Sequence, residues 1–96
     1  MKVNFKETFK DIEGNEILDG GKATTLQTVA INALMAAYTD EQNLSGEDKL
    51  KRWKMSQRIF GGEEDFSIED VALLKKLIGK AYSTIIVGQA YEMLEG

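Results

Sequence analysis

Cysteine, histidine and proline are all absent from this 96-residue chain. Without cysteine there is no disulfide and no thiolate for redox chemistry or soft-metal binding. Without histidine the chain lacks the commonest general base and the commonest metal ligand. A serine nucleophile would need a lysine as its base, and no spacing here pairs the two. Ser45, Ser67 and Ser83 each stand where a helix cap is expected, which accounts for them without chemistry. An enzyme, a bound cofactor and a metal site are therefore not expected. The lack of proline suits a compact helical domain with capped ends better than a linker or a Pro-rich ligand. No apolar run approaches the ~20 residues of a membrane helix, and the N-terminus has no signal-peptide core, so a cytoplasmic protein without a membrane partner is expected.

What is present is an ordinary globular composition, 43% apolar and 29% charged, in one domain's length of chain. Sixteen acidic residues outnumber twelve basic ones, for a net charge of −4, so bulk attraction to nucleic acid is not expected. Val3, Phe5 and Phe9 alternate with polar residues, the period of a half-buried strand. Turn chemistry follows at Glu13-Gly14-Asn15-Glu16, then Ile17 and Leu18, and Gly20-Gly21 reads as the release of the chain from a β-hairpin over 2–19. Four helices are predicted after it, over 25–39, 46–60, 68–80 and 84–94. Thr24 and Gln27 have the spacing of a capping box for the first; Ser45, Ser67 and Ser83 cap the others. The fold class is α+β, mainly helical: an N-terminal β-hairpin packed on a bundle of four helices.

The long apolar stretch 66–94 carries two helix-start signals, with Phe66 placed to staple onto Val71 and Tyr82 onto Val87. Gly88 interrupts the last helix at a cost of about 1 kcal/mol relative to Ala, which predicts a close approach there to the helix of Ala30 and Ala33. In the second helix Leu50, Trp53 and Phe60 read as the core stripe, interrupted by Gln57. Lys51, Arg52, Lys54 and Arg58 then form a candidate basic patch for phosphates. Met55 and Ile59 fall opposite the Leu50 stripe, and Val87 and Tyr91 make a second stripe on the last helix. Ile31 and Met35 are likewise surplus to the stripe of the first helix. Three helices of so short a chain cannot easily all bury second faces, so Met55, Ile59, Val87 and Tyr91 are the candidate partner surface. The acidic runs Asp40-Glu41-Gln42-Asn43 and Glu63-Glu64-Asp65 lack the ligand spacing of a calcium loop. Gly79-Lys80 lacks the rest of a phosphate loop, with Ala81 in place of the Ser or Thr.

Several of these segments resemble a family of small, largely uncharacterised proteins encoded in bacteriophages and prophages. The likeness lies in the opening strand Val3-Asn4-Phe5-Lys6, the helix lead from Leu44 to Arg52, the run Glu69-Asp70-Val71-Ala72-Leu73-Leu74, and Gly79-Lys80-Ala81-Tyr82 followed by Val87-Gly88-Gln89-Ala90. The resemblance implies a compact accessory protein that acts by binding. The functional expectation is a small non-enzymatic protein-interaction module, a virion-assembly accessory or a modulator of a host protein, whose partner is another protein or a second copy of itself. The alternative is a nucleic-acid-binding regulator that uses the basic helix 46–60.

Overall fold

A computed structural model describes residues 1–95. Among them are two short antiparallel strands, β1 (Leu18–Asp19) and β2 (Lys22–Ala23), and four helices, α1 (Leu26–Met35), α2 (Gly46–Phe60), α3 (Ile68–Ala81) and α4 (Thr84–Glu95). α1 lies at the centre, packed on α2 and α3, and α4 covers α3. The α+β, mainly helical reading holds. No described helix is long and apolar enough to cross a membrane.

The hairpin sits later in the chain than 2–19. Its strands pair Leu18 with Ala23 and Asp19 with Lys22 across Gly20-Gly21, both at positive φ (61° and 85°). A two-residue hairpin loop needs left-handed backbone at both positions, so the glycine pair makes the turn instead of releasing the chain. The earlier turn also forms: Asp11 N–H donates to the Asn15 carbonyl, and Lys10 bridges Glu16. What the N-terminal segment builds is a junction of three strand-like pieces. Phe9 N–H donates to the Thr24 carbonyl (3.0 Å), Thr24 N–H to the Ile17 carbonyl (2.9 Å), and Ile17 N–H to the Phe9 carbonyl (2.9 Å). This closed ring of bonds leaves Phe9 fully buried against the helices. Residue 1–3 backbone then pairs with the segment before α3, through Val3 N–H to Glu64 and Phe66 N–H to Met1. Phe5 packs edge-on against Phe66, ring centres 5.3 Å apart.

Two of the three expected serine caps form and the cap of α1 shifts; at Ser83 the backbone carbonyl, not the hydroxyl, takes the N–H groups of Ile86 and Val87. Ser45 and Ser67 accept the N–H of Asp48 and Asp70, each at 3.1 Å. α1 is capped by Thr25, one residue after the expected Thr24, through the Thr28 N–H. Thr24 is taken by the β junction. Gln27 serves no capping box either: its amide reaches the carbonyls of Ile59 and Phe60 at the end of α2, both at 3.4 Å. Helix ends leave four carbonyls without helical partners, and here another helix supplies donors.

α1 also stops at Met35, short of the expected 39. Ala36 and Ala37 favour helix, yet the chain turns out at Ala36 (ψ 148°). The turn brings the Tyr38 hydroxyl to the Ala33 carbonyl (2.6 Å), one of α1's unpaired ones, and within 3.2 Å of Leu77 on α3. A short 3₁₀ turn over Thr39–Glu41 follows. Helices α3 and α4 match 68–80 and 84–94 to within one residue at each end. Gly88 is a correction: it is exposed, and a Cβ built there meets nothing within 4 Å. The close approach in this helix pair is at Gly79, where a Cβ would stand 2.8 Å from the Tyr91 hydroxyl.

Candidate interaction surface

α2 carries two competing stripes, and the structure turns inward the one that reads as less apolar. Met55 and Ile59 are buried, at 2% and 1% exposure, together with Arg52 and Ser56. Leu50, Trp53 and Phe60 face out, at 50%, 50% and 76%. Met55 and Ile59 are therefore core, not partner surface, and the expected core stripe is the exposed one.

Polar chemistry decides this orientation. Arg52 enters the core edge because Glu41, on the 3₁₀ turn, meets its guanidinium with two parallel bonds of 2.8 Å. Such a forked, charge-assisted pair compensates much of the desolvation. Ser56 donates to the Arg52 carbonyl at 3.0 Å, so both polar members of the inner stripe are satisfied. Among the described residues no buried polar side-chain atom lacks a partner. Gln57, on the outer stripe, stays exposed. Arg52 holds the Glu41 carboxyl well below its ordinary range, at about 2. Lys80 closes the cluster, 2.9 Å from Asp40 and 3.6 Å from Glu41, with its ammonium 5.3 Å from the Tyr38 ring centre. Burial raises the Tyr38 pKa, keeping it a hydroxyl donor.

The basic patch is broken up by the same pairing. Arg52 is consumed by Glu41. Arg58 binds Glu63, lies 3.5 Å from Asp70 and stacks its guanidinium 4.6 Å from the Phe66 ring centre. Glu63, the largest cause, raises the Arg58 pKa further. Lys51 and Lys54 remain exposed, and two lysines without the arginines do not make the four-residue patch. Val87 and Tyr91 are corrected as well. Both are half-buried, and Val87 packs on the core. Tyr91 donates to the Lys75 carbonyl at 2.8 Å, with the Lys75 ammonium 5.0 Å from its ring centre, a clamp between α3 and α4.

What the exposed side of α2 forms with α1 is a shallow apolar groove. Ile31 and Met35 wall it from α1, Trp53 and Phe60 from α2, with Gln57 between, around a volume of about 430 Å³. Met35 is 49% exposed. Past Met35 and Trp53 the groove continues into a cleft of about 380 Å³ lined by Leu44, Lys49 and the edge of Arg52. By sequence pattern Ile31 and Met35 are surplus to their stripe, while Leu50, Trp53 and Phe60 read as core. The available signal was Gln57, a polar residue in the middle of the supposed core stripe. No group of three or more potential metal-ligating residues comes together among the described residues.

No protein-family model matches the chain, and comparison with curated proteins and with solved structures gives no match either.

Proposed function

We propose that this protein is a small non-enzymatic interaction module that works through the α1–α2 face, by associating with another protein or with a second copy of itself. One observation carries the reading. Trp53 and Phe60 stand half and three-quarters exposed beside Met35 on one continuous face. Contiguous exposed apolar surface of this kind, and aromatic anchors above all, is characteristic of protein interfaces. The resemblance to phage and prophage proteins supplies the setting, a virion-assembly accessory or a modulator of a host protein. Nucleic-acid binding is the weaker reading, because Arg52 and Arg58 are spent on internal acidic partners.

The test compares the parent with Trp53→Asp and Phe60→Asp variants. Both positions are exposed, so the folded circular-dichroism spectrum should be kept while self-association or partner capture is lost. Association unchanged in both variants would overturn the assignment to this face.

A further inference from the structure

Arg52 keeps one of its hydrogen-bonding edges unused. A guanidinium carries its N–H donors in a planar fork and can pair with two anions, one at the two Nη atoms and one along the Nε edge. Glu41 occupies the Nη pair, at 2.8 Å on each side. Among the described residues the Nε–H donates to no acceptor, yet no buried polar side-chain atom lacks a partner. The Nε edge of this otherwise buried arginine, 7% exposed, is therefore open to solvent. Arg52 is a wall of the cleft of about 380 Å³ that continues the apolar groove, and its open edge gives onto that cleft. We infer that the cleft takes a carboxylate from an acidic, apolar segment of a partner protein, held by the Nε edge of Arg52 and by Lys49. The inference rests on the reading of the α1–α2 face as the working surface, and names the chemistry of its partner.

Charge selects a singly charged anion. Asp40 and Glu41 offset Arg52 and Lys80 at the inner end of the cleft. Lys49 is the surplus. It stands three residues before Arg52 and four before Trp53, on the same side of α2, and lines the cleft. Among the described residues Lys49 makes no ion pair. Asp48 makes none either and lines the adjoining hollow with Asp40 and Asn43. With Glu41 already on one edge of the guanidinium, Lys49 balances one further negative charge, a carboxylate and not a phosphate dianion.

The remaining walls say what carries the carboxylate. Leu34, Met35, Leu44 and Trp53 make most of the cleft apolar, and a few fixed polar donors in an apolar cleft set the orientation of what enters. Met35 and Trp53 also wall the groove that runs on to Phe60. A chain anchored at Arg52 therefore lies along the exposed aromatics, an extended course that suits a peptide segment.

The experiment is an NMR titration of the full chain at pH 7 and constant ionic strength. Arg52 and Arg58 are the only arginines, so Arg58→Lys assigns their two Nε–H signals. Trp53, the sole tryptophan, reports in parallel by fluorescence. N-acetylphenylalanine, a carboxylate beside one apolar side chain, should shift the Arg52 Nε–H and the Trp53 indole signals with a dissociation constant on the order of 1 mM. Its amide should bind at least about tenfold more weakly, since the charge-assisted bonds are lost. Lys49→Gln should weaken the acid about two- to fivefold at unchanged circular dichroism. Equal binding of acid and amide overturns the anion anchor. Acetate binding as well as the acid overturns the apolar segment, and inorganic phosphate binding more tightly overturns the choice of carboxylate. No shift at Arg52 up to roughly 20 mM, twentyfold above the expected constant, overturns the cleft as a site; the face then stands or falls by Trp53→Asp and Phe60→Asp alone. A shift at Arg52 in a protein whose association both aspartates leave untouched overturns the face, and the partner segment with it.

Discussion

Removing the Glu41 carboxylate is the perturbation that best tests how α2 is oriented. In Glu41→Ala the guanidinium of Arg52, 7% exposed, loses both 2.8 Å bonds and keeps its charge. Breaking a buried pair from one side costs about 3–5 kcal/mol. The paired side chains retain some solvent contact, 9% and 12%, so about 2–4 kcal/mol is expected here. Acid dependence gives an independent route to the same quantity. Arg52 holds Glu41 at about 2 against an ordinary 4.5, and at ~1.4 kcal/mol for each tenfold step this gap amounts to roughly 3 kcal/mol before solvent screening, about 2 after it. A depressed carboxylate stabilises the fold above its unfolded value and ceases to do so as protons bind. The contribution is therefore complete above about pH 5 and is lost as pH falls from about 4.5 toward 2. Urea denaturation at pH 7 and at pH 3, with a constant m-value, measures both. Glu41→Gln should flatten the acid dependence, and Glu41→Leu with Arg52→Met should lie within about 1 kcal/mol of the parent, since an apolar pair of similar volume replaces the ions. A loss below about 1 kcal/mol in Glu41→Ala, or an acid profile unchanged by Glu41→Gln, would refute the claim that this pair turns the helix.

Three further outcomes are expected. Met55→Ala should cost about 2–5 kcal/mol as a buried truncation, whereas Trp53→Ala should change the denaturation midpoint little; the reverse order would put α2 in the other orientation. Gly88→Ala should gain up to about 1 kcal/mol, because the site is helical, exposed and open, and the melting temperature should rise by roughly 4–8 °C per kcal/mol in a domain of this size. Gly79→Ala should gain about 1 kcal/mol less than Gly88→Ala in the same melt, since its Cβ displaces the Tyr91 hydroxyl from the Lys75 carbonyl, a bond worth about 1 kcal/mol that offsets the helical gain.

The parts of this protein legible in its sequence are those that neighbouring residues settle among themselves. Ser45 and Ser67 sit three residues from the N–H groups they accept, so the starts of α2 and α3 follow from local pattern. The α3 stripe of Val71, Leu74 and Ile78 is buried as its spacing requires, and the mainly helical α+β class comes with these elements. What only the tertiary structure decided depends on partners far along the chain. The end of α1 follows from Tyr38 meeting Leu77, and the vacancy at the expected capping box from Gln27 serving the end of α2. The glycine that matters for close packing is Gly79, not Gly88, because the Tyr91 hydroxyl of the next helix sits against it. The orientation of α2 is the most consequential case. By apolar content alone Leu50, Trp53 and Phe60 outrank Met55 and Ile59. A stripe is buried whole, however, and the free energy of its polar members counts with the rest. Glu41 made Arg52 admissible inside, and the aromatic side of the helix, with Gln57, was left facing outward.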